Sequence, residues 1–170
     1  MGNAGKIITN WIEVDERKFK LNNKQKMKIN VKSLITSGVV TGLIIMIVGG
    51  GLVPIIGNQM DEVLKNRLLS PLSNGAMVYF AFNSIVLGIG VIGFYALIKT
   101  IISSRVMSVI ITSLLFWFFT YFLANAALVA YGFMPLRLTI IGTAWGLLEL
   151  LIGVFIGSML YKDIKQKNEL

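Results

Sequence analysis

The sequence predicts an all-α membrane protein, a four-transmembrane-helix bundle of up-down topology with a basic N-terminal tail. Three observations predict it. The 170 residues are 55% hydrophobic and only 14% charged, with a mean hydropathy of +0.76, whereas a soluble domain carries about 25% charged residues. The apolar residues gather into four runs of 22 to 26 residues. Positive charge falls unevenly on the segments between those runs, as it does in chains that cross a bilayer.

Residues 1–32 come first and are polar, with eight Lys/Arg and three acids. They read as a basic cytoplasmic tail, partly disordered or resting at the membrane surface through Trp11, Ile12, Phe19 and Leu21. "MKINVKSLI" from Met27 has the look of a chain start, so residues 1–26 are open to reading as an upstream extension. The transmembrane domain follows at 33–161. Its helices are expected at about 33–56, 77–98, 106–131 and 136–161, and residues 162–170 form a cytoplasmic C-terminal tail. At about 1.5 Å per residue each run reaches about 33–39 Å, enough to cross a ~30 Å hydrocarbon core with some tilt. No two-residue alternation supports strands.

The connections are expected to match. Pro54 ends the first helix, and residues 57–75 are the one sizeable loop. Within it "MDEVLKNRLL" reads as a short interfacial helix with Asp61 and Glu62 in its first turn, where the helix dipole favours anions. Ser70-Pro71 and Asn74-Gly75 mark turns. Ser103 or Ser104 caps the third helix. Gly132 sits just past that helix and Pro135 opens the fourth, which makes a tight hairpin.

Charge sets the orientation. The N-tail, the 99–105 loop and the C-tail share one side and hold 13 of the 16 Lys/Arg. Lys65, Arg67 and Arg137 lie on the other. Both termini are therefore expected in the cytoplasm, with the chain multi-pass in the cell (plasma) membrane. The net charge of +8 thus serves topology, and no nucleic-acid partner is expected. The expected partners are the lipid bilayer and either a second copy or another membrane protein.

Cysteine and histidine are both absent. That excludes disulfides, thiolate metal sites, imidazole ligands and histidine general bases, so neither a cofactor nor a metal site is expected. No phosphate-binding glycine loop, metalloprotease pair or nucleophile elbow is present. The membrane runs hold a single carboxylate, so no acid/base pair can form there, and an enzyme is not expected.

That carboxylate is Glu149, in "WGLLELLIGVFIG". Gly142, Gly146, Glu149, Gly153 and Gly157 are spaced 4, 3, 4 and 4, so all five share one helix face within about 80°. Small residues let helices approach closely, and a carboxyl group facing lipid would cost several kcal/mol. Glu149 should therefore point inward, about 20 Å below the outer boundary. Depth ranks its donors. Ser113, Trp117, Tyr121 and Asn125 form a row four residues apart in the third helix, with Trp117 or Tyr121 the expected donor to Glu149. Tyr79, Asn83, Val86, Gly90 and Gly93 share a face of the second helix, which would bring Asn83 close to Asn125. The expected picture is a polar seam that opens outward through Asn83, Asn125 and Tyr121 and ends at Glu149. Arg137, about 18 Å along the axis, is expected to snorkel at the outer interface.

Gly38, Gly42 and Gly49 of the first helix repeat the spacing of Gly142, Gly146 and Gly153. Shared packing chemistry accounts for the echo without duplication. The aromatic run "FWFFTYF" (116–122) is expected in core or lipid contact, with a ligand pocket as the alternative.

Two functions fit. The first is a non-enzymatic structural, accessory or self-associating membrane component, in which a protonated Glu149 fixes helix packing. The second is a small proton- or cation-coupled transporter in which Glu149 titrates. Four helices, one membrane glutamate and aromatic neighbours are similar in architecture to the small multidrug resistance transporters. The likeness stops at architecture. No motif matches over any stretch, that family carries its glutamate in the first helix, and antiparallel members need little charge bias.

Overall fold

The computed structural model describes residues 29–68 and 73–164. By contact Val31–Lys162 form one compact unit. The expectations for residues 1–28, for the Ser70-Pro71 turn and for 165–170 lie outside the described residues. Among the described residues the chain forms six α-helices: α1 Val31–Gly50, α2 Val53–Asn66, α3 Asn74–Ile101, α4 Arg105–Trp117, α5 Leu123–Ala130 and α6 Leu136–Leu160. A π-helical turn, Phe118–Phe122, joins α4 to α5 without a break. Four helical stretches are long and apolar enough to cross a membrane: Val31–Gly50, Asn74–Ile101, Arg105–Ala130 and Leu136–Leu160.

Several boundaries differ from the sequence expectation. The first helix ends at Gly50, not near Ile56, because Gly51 and Leu52 turn back onto the carbonyls of Val48 and Gly49. Pro54 therefore does not close a helix. It sits in the first turn of α2, where its missing N–H costs nothing. The short helix expected from Met60 thus begins seven residues earlier, and Asp61 and Glu62 fall in its second half, away from the dipole's positive end. Asn74 and Gly75 are not a turn but the first residues of α3, capped by the Ser73 hydroxyl, which accepts from the Ala76 N–H at 3.2 Å.

At the start of α4 the cap is Ser104, whose Oγ accepts from the Met107 N–H at 3.4 Å. Its carbonyl also accepts from the Ser108 hydroxyl at 2.9 Å. Ser104→Ala should lower stability by about 1 kcal/mol, read as a small fall in the thermal midpoint in detergent. Gly132 adopts a positive φ of 69°, which glycine takes without strain. Its carbonyl accepts from the Arg67 guanidinium at 2.6 Å, tying the residue after α2 to the α5–α6 turn.

The core lies where α1, α3, α4 and α6 meet, around Ile45, Val91, Ile92, Tyr95, Leu150 and Val154. Contacts between α1 and α6 run in opposite order along the two helices. Ser33 Oγ accepts from the Lys162 N–H at 2.8 Å, Ile45 packs at Gly153, and Gly49 at Glu149. Between α1 and α3 the approach is backbone to backbone. A Cβ on Gly38 would lie 2.6 Å from the Ile89 Cα, and one on Gly42 would lie 2.5 Å from the Ile85 Cα. Within an 18-residue apolar window of each of these stretches only 22–33% of residues are buried within the chain. Ile47, Val78, Phe82, Ile140 and Phe155 are exposed, an apolar surface suited to lipid rather than water.

Candidate functional site at Glu149

Glycine spacing along α6 determines which way Glu149 points. The residue is 7% exposed, on the helix face that also holds Gly146, Gly153 and Gly157. Each of these glycines makes room for one or two neighbours. Gly146 takes the Tyr121 ring, Gly153 takes Ile45 and Thr41, and Gly157 takes Thr41 and Ile92. Gly142 does not follow the pattern, because a Cβ there would meet nothing within 4 Å. It lies near the start of α6, before the close approach begins.

Tyr121 donates its hydroxyl to Glu149 Oε2 at 2.8 Å. The other oxygen, Oε1, faces Gly49, where a Cβ would stand 3.3 Å away. No hydrogen bond reaches Oε1 among the described residues. The carboxyl group is thus held from α4's continuation on one side and from α1 on the other. Trp145, one turn earlier on α6, donates its indole N–H to the Val48 carbonyl at 3.0 Å and closes the site toward the end of α1.

The π-helical turn helps to place Tyr121. In an α-helix a row of residues four apart drifts by about 40° per step. The wider turn at Phe118–Phe122, closed by Leu123 N–H to the Phe118 carbonyl, works against that drift, and π-turns are frequent where a side chain has a role. As a result the whole row meets α6. Ser113 Oγ donates to the Leu150 carbonyl at 3.4 Å, Trp117 Nε1 to the Thr143 carbonyl at 2.7 Å, and Asn125 Nδ2 to Thr143 Oγ1 at 2.8 Å. Trp117 therefore bonds to backbone and not to the carboxyl group.

Asn83 takes no part in this constellation. It is exposed, and the Asn125 amide is on Thr143. The reason is the rotation of α3. Its buried residues are Gly88, Val91, Ile92, Tyr95 and Ala96, opposite to the Tyr79–Asn83–Val86 face. The expected outward seam is therefore incomplete. Arg137 is exposed at the start of α6.

Other buried polar groups, all but Ser113 missed by sequence reasoning, lie on the other side of Glu149. Ser37, Thr41, Ser108, Thr112, Ser113 and Ser158 are all buried. Thr41 donates to the Ser37 carbonyl at 2.8 Å and Ser158 to the Phe155 carbonyl at 2.7 Å. The Thr112 and Tyr95 hydroxyls have no hydrogen-bond partner among the described residues. The signal for this column was the four-residue spacing of Ser37 with Thr41 and of Ser108 with Thr112. Gly88 was missed as well, although its Cβ would strike the backbone of Gly38 and Gly42.

The aromatic run is divided. Phe118, Phe119 and Phe122 are exposed, with Phe118 and Phe122 stacked at 5.4 Å. Trp117 and Phe122 also line a cleft of about 500 Å³ beside α6, with Ala126, Ile140 and Thr143. The two glycine sets of the internal echo meet different partners, Gly42 against α3 and Gly146 against Tyr121, so the shared spacing does not carry a shared contact.

No protein-family model, no curated protein and no solved structure matches this chain.

Proposed function

We propose that the chain is a non-enzymatic structural or accessory component of the cell (plasma) membrane. It is a four-helix bundle of up-down topology, with both termini cytoplasmic, and it works by associating with a second copy or with another membrane protein. The observation that carries this reading is the row Ser113, Trp117, Tyr121 and Asn125, every member of which donates a hydrogen bond to α6. Cross-helix bonds in a membrane contribute about 0.6 kcal/mol each on average and up to about 1.7. Four together stabilise the pair by about 2–4 kcal/mol, the scale expected of a clamp. Glu149 is one acceptor in that clamp.

One observation favours the second reading, a small proton- or cation-coupled transporter. Among the described residues Glu149 Oε1 accepts no hydrogen bond, and it stands 3.3 Å from where a Cβ on Gly49 would lie, which leaves an acceptor for a proton, a cation or a cationic substrate. Two measurements separate the readings. Purification of the tagged chain from its native membrane, followed by native mass spectrometry, should find it paired or in a larger complex. In proteoliposomes, Glu149→Gln should leave proton and cation flux unchanged from the wild type. A monomer whose flux is abolished by Glu149→Gln would establish the transporter instead.

A further inference from the structure

The face of α3 that carries Asn83 is turned away from the chain's core, bordered by Phe116 at Gly90 and by Leu34 at Gly93. Tyr79, Asn83, Val86, Gly90, Gly93 and Leu97 are spaced 4, 3, 4, 3 and 4, so they share one face within about 80°. The buried Gly88, Val91, Ile92, Tyr95 and Ala96 lie on the opposite side. Tyr79, Val86 and Leu97 are 62%, 50% and 51% exposed, and Asn83 and Gly90 are exposed too. A 4-3 alternation of this kind is the pattern of a seam between two helices.

Asn83 indicates what covers the seam. It is nine residues into a 28-residue helix, about 13 Å from that end. The helix is about 42 Å long and the hydrocarbon core about 30 Å thick, so Asn83 stands about 7 Å inside the core. No hydrogen bond reaches its amide among the described residues. An amide in lipid without partners costs several kcal/mol. A carboxamide has both donors and acceptors, so two copies meeting about a two-fold axis satisfy each other. The charge bias of the loops inserts every copy the same way up, which brings the two amides to one depth. Below them Gly90 is exposed and has no side chain, so a partner helix can approach between the Phe116 ring, 3.8 Å from a Cβ at Gly90, and Leu34, 3.8 Å from a Cβ at Gly93.

We infer that α3 pairs with α3 of a second copy along Tyr79, Asn83, Val86, Gly90, Gly93 and Leu97, with the two Asn83 amides hydrogen-bonded in the membrane. This rests on the reading of the chain as an associating component and names its partner and face.

The chain has no cysteine, so single-cysteine cross-linking reports cleanly. Val86→Cys should form a disulfide-linked dimer under mild oxidation in native membranes. Leu148→Cys should not. It is 43% exposed on α6 and, like Val86, lies twelve residues into its helix. In Val86→Cys, adding Asn83→Leu should weaken dimerisation about 3- to 30-fold, while Asn83→Gln should retain most of it. Equal cross-linking at positions 86 and 148, no effect of Asn83→Leu, or a Val86→Cys adduct only to a different protein would overturn the pairing. In those cases copurification with another membrane protein would leave the associating role standing. A chain that purifies alone and monomeric would remove both.

Discussion

Gly88→Val should be among the most disruptive single substitutions in the chain. A Cβ at Gly88 would run into the Gly42 amide and the Gly38 carbonyl, and Gly42 in turn lies against the backbone of Ile85. Backbone on both sides cannot rotate away as a side chain can. The α1–α3 pair must therefore separate, and the Ile45, Val91 and Ile92 core at that level loses its close contacts. Overpacking a tight site costs about 1–3 kcal/mol and occasionally more, and this site is at the upper end because two helices must shift. We expect Gly88→Val to lower stability by about 3 kcal/mol or more, seen as a large fall in the detergent melting midpoint or as failure to recover monodisperse protein. Gly142→Ala is the control. Nothing lies within 4 Å of a Cβ there, so the change should be neutral or should stabilise by up to about 1 kcal/mol through helix propensity. Equal behaviour of the two variants would show that the crossing is not closely packed.

The contrast between Gly88 and Gly142 shows where the sequence was informative. Long apolar runs announce spanning helices without ambiguity, because nothing else needs 20 or more such residues in a row. The four helices were legible for that reason. Their ends were not, because Pro54 is equally suited to stopping one helix and starting another, and two turning residues after Gly50 decided the matter. Rotation about the helix axis was legible only where a charge forced it. Glu149 could not face lipid, and its glycine neighbours then identified the contact face of α6. Between its end residues Asn74 and Lys99, α3 has only weakly polar residues apart from Asn83, and its hydrophobicity is nearly even around the axis. Nothing in such a pattern separates the inner face from the outer. Asn83 suggested an inward face, and Gly88, on the opposite side, turned out to hold it. The buried hydroxyls stayed silent for a related reason. Serine and threonine in a helix can bond to the carbonyl four residues back, as Thr41 does to Ser37, and are then cheap on either face.

The other large effect should come from Glu149 and Tyr121. Glu149→Leu removes the acceptor of a part-buried tyrosine hydroxyl, and Tyr121→Phe removes the one hydrogen bond that reaches the carboxyl group among the described residues. Each single change should cost about 1–3 kcal/mol, the penalty for an unsatisfied polar group away from water. The double change should cost less than the two singles together, since once both partners are gone neither leaves an orphan. A coupling of about 0.6–2 kcal/mol is expected for a bond of this kind in a membrane. Glu149→Gln is the discriminating variant. Its amide oxygen can still accept from Tyr121, and its NH2 would point toward Gly49, where the wild-type Oε1 now stands. If Glu149 is an acceptor in a helix clamp, glutamine should retain most of the stability and the assembly state. If glutamine destabilises the protein as much as leucine does, the ionisable carboxyl group itself is required at that position, and the proton on Glu149 has a role that packing does not explain. Reversible unfolding of the four variants in one detergent decides between these outcomes, because the clamp requires a coupling between residues 121 and 149 that the glutamine variant preserves.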